Sequence, residues 1–180
     1  VTTLDDHNGF VMTEYIELTG RFVNWAENIY SIDETRVYAT GQSMGCMTFL
    51  VLAAKYPEMF TACLFVSGQW DINSLKGLES KKFIYIASAG DDKASKGQQE
   101  VIDMFRQDGI PFMLVQEIDA RNQDYILPES QGTCYFLTFK AGTTLPDETE
   151  GKYSEHMTSF DYAYRMQALR NWLLSQKKGD

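Results

Sequence analysis

The chain has 180 residues, 44% of them hydrophobic and 13% aromatic, which is enough to bury a core as one domain. A formal net charge of -9 argues against nucleic acid or an anionic membrane as partner, because both would repel the chain at long range. No apolar run reaches membrane-spanning length, no secretory leader is evident, and the first residue is Val1 rather than Met.

Across residues 10–30, the spacing of Met12, Ile16, Val23, Ala26 and Tyr30 predicts an amphipathic helix. A turn over 31–35 leads to a short β-branched and aromatic strand at 37–40. Residues 44–55 are rich in helix formers and are halted by Pro57. A buried strand is predicted at 61–67, ending in Gly68-Gln69-Trp70-Asp71, with a short polar helix near 75–80. A third strand at 83–89 runs into Gly90-Asp91-Asp92, a helix at 98–108 is closed by Gly109, and a fourth strand covers 110–118. The stretch 119–155 is rich in turns around one further strand, 134–139, and is expected to be an excursion close to the functional site. Ser159 is read as the cap of a last helix with Asp161 in its first turn, Tyr162, Met166, Leu169 and Leu173 on its buried face, and Lys177 and Lys178 near its end. Apolar strands alternating with helices predict the α/β class, a mostly parallel sheet with helices on both faces.

Gly41-Gln42-Ser43-Met44-Gly45 lies where the 37–40 strand gives way to the next helix. A G-x-S-x-G at a strand-to-helix turn reads as a nucleophile elbow: the serine is held in a strained conformation, and both glycines are expected to be needed because strand and helix crowd each other. The turn presents the Ser43 hydroxyl at a helix N-terminus, where free N–H groups favour an oxyanion. A serine hydroxyl is a weak acid and needs a base, and the base needs a carboxylate to hold its tautomer. Of the two histidines, His7 and His156, only His156 follows the elbow, in what reads as a loop before the final helix. For the acid, Asp91 stands first beyond a strand at the carboxyl edge of the sheet; Asp92 is second choice, as a residue that instead caps the following turn, and Asp71 third.

The Met44 N–H is one candidate oxyanion donor, and Gln42 and Trp70 are the candidates to meet substrate, although an aromatic such as Trp70 is as often an ordinary core residue. Cys46, Cys63 and Cys134 show no C-x-x-C spacing, so no metal site is expected, and Cys46 and Cys63 fall on segments where a small buried thiol is usual.

On these residues the chain resembles carboxylesterases of the α/β-hydrolase superfamily, in the group similar to polyhydroxybutyrate depolymerases and feruloyl or acetylxylan esterases. The resemblance is carried by residues 32–45, by Ala54-Lys55-Tyr56-Pro57, by Phe65-Val66-Ser67-Gly68-Gln69-Trp70, by residues 89–94 and by residues 156–162. It implies Ser43 as nucleophile, Asp91 as acid, His156 as base, no cofactor, and short-chain esters, free or polysaccharide-linked, as substrates. It also suggests export. Tannase-like and some fungal feruloyl esterases carry cysteines beside the nucleophile and the histidine; Gln42 and Met157 stand there here, which disfavours that subgroup. The stretch before Val37 has room for one helix but not for the strands and oxyanion loop that precede the elbow in such enzymes. The expectation is therefore the C-terminal part of a hydrolase fold, associating through the elbow strand's open edge with a missing N-terminal half or another copy. A serine peptidase of the same fold and a non-catalytic association module are the competing readings.

Overall fold

The computed structural model describes residues 14–122, 124–129, 133–146 and 153–179. Its elements are α1 (Glu14–Ile29), β1 (Tyr38–Gln42), α2 (Met44–Lys55), β2 (Ala62–Val66), β3 (Phe83–Ser88), α3 (Asp92–Gln107), β4 (Met113–Ile118), β5 (Cys134–Phe139), α4 (Glu155–Arg165) and α5 (Gln167–Ser175). The five strands form one sheet in the order β1-β2-β3-β5-β4, parallel at every pairing.

Both faces of this sheet are covered, which is why its central strands read as unbroken apolar runs. Side chains alternate along each strand. Cys63, Phe65, Phe83, Tyr85, Cys134 and Phe136 point into a core built with α1, α2 and α3, while Leu64, Val66, Ile84, Ile86, Tyr135 and Leu137 point into one built with α4 and α5. The first core is aromatic at its centre, with Phe83, Phe105 and Phe136 meeting edge to face at centroid distances of 5.4–5.8 Å. Gln98 of α3, itself buried, donates from Nε2 to the carbonyls of Tyr85 and Leu137 at 2.8 and 3.0 Å, so one amide docks the helix on β3 and β5.

Several boundaries differ from expectation. The helix predicted at 98–108 begins six residues earlier, at Asp92. Gly97 sits inside it, at a point where a β-carbon would stand 2.2 Å from Cβ of Gln69. The last helix is two: α4 is capped by Ser154, whose hydroxyl accepts from the His156 N–H, and extended backbone at Met166 separates it from α5. Ser159 is therefore a buried residue within α4 rather than its cap. In the predicted first helix, Ile16 is buried and Val23 packs on the core, but Tyr30 is exposed, its ring meeting Trp25 edge-on outside the core. Phe10 and Met12 lie outside the described residues. Among the described residues no helix is long and apolar enough to cross a membrane.

Cys46, Cys63 and Cys134 are free and buried. Burial raises all three thiols, Cys63 and Cys134 to about 12 and Cys46 well beyond its ordinary value, so little nucleophilic thiolate exists at neutral pH. At about pH 8, a water-soluble aromatic disulfide should leave the native protein unmodified while the denaturant-unfolded chain reacts at all three cysteines. Rapid native labelling followed by mass spectrometry would contradict this packing.

Candidate active site

The elbow begins with β1, which pairs residue for residue with β2 from Tyr38 opposite Ala62 to Gln42 opposite Val66. The ladder continues one residue further, the Ser43 N–H donating to the Val66 carbonyl at 3.0 Å. The chain then reverses at once: Ser43 has φ 49° and ψ -118°, and its carbonyl accepts from the Met47 N–H at 3.0 Å in the first turn of α2. A non-glycine residue with positive φ is held there by its surroundings, and such strain concentrates at functional sites.

The crowding that holds it is one-sided. A β-carbon at Gly41 would come within 2.4 Å of the Gly45 carbonyl carbon, whereas one at Gly45 would meet nothing within 4 Å. Only the first glycine of the motif is sterically required, which corrects the expectation for both. A second close approach comes from Gly68, where a β-carbon would lie 2.6 Å from Cβ of Cys46 and 2.7 Å from the Ser43 carbonyl oxygen. The Gly68 carbonyl in turn accepts a short hydrogen bond from the buried Tyr85 hydroxyl.

His156 lies in the first turn of α4, not in a loop before it. Its Nε2 is 2.8 Å from Ser43 Oγ and its Nδ1 is 2.5 Å from Asp91 Oδ2. With Asp91 ionised, the Nδ1 position carries the proton and Nε2 faces the serine hydroxyl as acceptor, an assignment made from the partners. Asp91 serves two neighbours, because its Oδ1 also accepts from the Ala94 N–H at 3.2 Å as the N-cap of α3. The sequence reading gave the capping role to Asp92, which instead is the first helical residue and points to solvent. Asp91 is 7% exposed. The imidazole packs edge-on against Phe160 at a centroid distance of 5.1 Å.

Sequence reasoning missed what anchors α4. Glu155 accepts from the Ser88 and Thr144 hydroxyls and from the Gly142 N–H, and the Ser159 hydroxyl lies 2.9 Å from that of Ser67. The adjacency of Glu155 to a candidate base was a legible signal; the serine pair, 92 residues apart, was not. Met44 is half exposed, and its N–H belongs to the first turn of α2, where helical N–H groups have no partner within the helix. Gln42 is exposed at the end of β1. Trp70 is 4% exposed and part of the α1–α2–α3 core, so the structure gives it a packing position. Asp71 caps the 3-10 turn Ile72–Ser74, accepting from the Asn73 N–H. No group of metal-ligating side chains occurs among the described residues.

A serine on a strand-to-helix elbow, joined through histidine to a carboxylate at the carboxyl edge of a parallel sheet, defines the α/β-hydrolase class. Within that class the chain belongs to the Esterase family, whose model matches residues 11–124. It is 40% identical over 62 residues to acetylxylan esterase A of Emericella nidulans, covering 34% of this chain and 19% of that protein. It is 41% identical over 46 residues to acetylxylan esterase A of Talaromyces purpureogenus, covering 26% and 12%. The match thus spans about a fifth or less of the curated relatives' length. Two solved structures share the fold. A thermostable esterase superposes with a TM-score of 0.67 at 15% identity, covering 94% of this chain and 38% of the other. A ferulic acid esterase does so with a TM-score of 0.53 at 14% identity, covering 91% and 65%.

The one-sided crowding gives a paired test. Gly41→Ala should destabilise the protein by roughly 3 kcal/mol or more, the range of a forced backbone collision. Gly45→Ala should fall within about 1 kcal/mol of the parent, since alanine suits a helix better than glycine. Chemical denaturation measures both, and equal costs would contradict the geometry.

Proposed function

We propose that the chain is a serine carboxylesterase in which Ser43 is the nucleophile, His156 the general base and Asp91 the carboxylate that orients it. The observation carrying this reading is the continuous hydrogen-bonded path from Ser43 Oγ to His156 at 2.8 Å and from His156 to Asp91 at 2.5 Å. The Esterase match favours an ester over a peptide bond, and the similarity to acetylxylan esterases favours acetyl and other short acyl groups, including those carried on polysaccharides.

In the proposed mechanism Ser43 Oγ attacks the ester carbonyl carbon as its proton passes to His156 Nε2. The oxyanion that forms lies at the N-terminus of α2, where the Met44 N–H donates to it. Collapse breaks the bond to the alcohol, which leaves with the proton from His156, and Ser43 holds the acyl group. Water then attacks the acyl carbon while His156 takes its proton, and the second collapse returns that proton to Ser43 as the carboxylic acid departs. Asp91 holds the imidazole and offsets its positive charge without being protonated itself.

A fluorophosphonate probe should label Ser43 covalently, and Ser43→Ala should abolish both labelling and hydrolysis of p-nitrophenyl acetate while the fold persists. Asp91→Asn should lower kcat by about three to four orders of magnitude, because an amide favours the wrong tautomer. Asp92→Asn should leave it within about twofold, as an exposed surface change. Labelling elsewhere, or the reverse ranking of the two aspartates, would overturn the assignment.

The same chain is proposed to self-associate. β1 pairs only with β2 and is the sheet's edge among the described residues. Packed on α2, α1 exposes Tyr15, Leu18, Phe22, Trp25 and Ile29, an apolar stripe at helical spacing. An open edge and an exposed apolar stripe each pair readily with another copy, opposed by the net charge of -9. Light scattering of these 180 residues should give a mass above 20.6 kDa that rises with salt, and Phe22→Glu with Trp25→Lys should lower it. A monodisperse monomer at all salt concentrations would refute the association.

A further inference from the structure

We propose that Glu155 is a positioning residue for this site, resting on the reading of His156 as its base: its carboxylate fixes the first turn of α4 so that the imidazole meets Asp91 and Ser43 together. Three donors from two segments converge on that carboxylate. Oε2 accepts from Ser88 Oγ at 2.5 Å and from Thr144 Oγ1 at 3.2 Å, and Oε1 accepts from the Gly142 N–H at 2.9 Å. Ser88 is the last residue of β3, three positions before Asp91, while Gly142 and Thr144 belong to the turn after β5. Ser88 and Thr144 are fully buried, so their hydroxyls depend on protein acceptors.

The space for this carboxylate is made by a glycine. An ideal β-carbon on Gly90, the residue before Asp91, would lie 1.9 Å from Glu155 Oε1. Gly90 is not among the residues with positive φ, so steric room rather than backbone conformation is what it supplies. Glu155 also carries negative charge at the N-terminus of α4, where the helix dipole favours it. The second turn of α4 has its own anchor, Ser159 on Ser67. Glu155 therefore locks the one turn that bears the base to the one loop that bears the acid.

A misplacement of about 1 Å in a reacting group can cost about a hundredfold in rate. With p-nitrophenyl acetate as substrate and the fluorophosphonate probe counting competent Ser43 sites, Glu155→Ala should lower kcat per titrated site by about 30- to 100-fold and leave KM within about twofold. Glu155→Gln should recover to within about fivefold, since its amide oxygen can accept from the Gly142 N–H and its amide N–H groups can donate to the two hydroxyl oxygens once those hydroxyls rotate. Gly90→Ala should reproduce much of the loss, yet cost little when added to Glu155→Ala, because both act through one carboxylate. If Glu155→Ala does not fold, Ser88→Ala and Thr144→Val each remove one bond and should give intermediate losses. Unchanged kcat per titrated site across these variants, whatever their thermal stability, would reduce Glu155 to a structural anchor and overturn the proposal. Absence of labelling at Ser43 in the parent would overturn the hydrolase reading itself, and this one with it.

Discussion

The contact between the backbone of Gly41 and that of Gly45 is where the sheet and the site are joined. Because β1 and α2 approach within a distance that excludes a β-carbon at Gly41, the residue between them turns through φ 49° with no room to relax. That turn does two things at once. It lifts the Ser43 side chain clear of the β1–β2 ladder, and it points the hydroxyl toward α4 while the start of α2 lies beneath it. Gly68 and the short Tyr85 hydrogen bond press the neighbouring loop against the same turn, so the strain is held by packing from two sides.

Asp91 shows how one carboxylate can be shared between a helix cap and an imidazole. One oxygen caps α3 and the other meets His156, so the helix start fixes the direction in which the second oxygen points. A cap donates no proton and needs little room, and it leaves the remaining lone pairs aimed away from the helix. His156 is held in the same manner from its own side, in the first turn of a helix whose cap is Ser154 and whose flanks rest on Glu155 and Ser159. Two helix N-termini thus face each other across the carboxyl edge of the sheet, and the elbow is a third.

Helix α1 has a different character. α1 packs on α2, presenting Ile16 to the core and a row of aromatic and aliphatic side chains outward. A helix that is apolar on both sides is ordinarily covered on both.

Much of this was legible in the residues. The α/β class, five parallel strands within a few residues of their bounds, the elbow and α2 all follow from patterns that local physics imposes: apolar runs for strands buried on both faces, helix formers up to a proline, and a serine between glycines at a strand end. Ser43, Asp91 and His156 are separated by 48 and 65 positions, yet each sits beside its own local signal. Tertiary contact decided the rest. Residue 97 is a glycine within a helix where Gln69 leaves no room for a β-carbon, and a β-carbon at Gly45 would meet nothing because the close approach there falls on its backbone. The sequence ranked Asp91 ahead of Asp92 by its place beyond the strand, but that Asp91 both caps α3 and meets the imidazole, and that Glu155, Ser67 and Ser159 are bonded to distant segments, is set by tertiary contact. Sequence determines what each stretch of backbone prefers, because preference is set by neighbours along the chain; which groups then meet is fixed only when the strands are ordered in space.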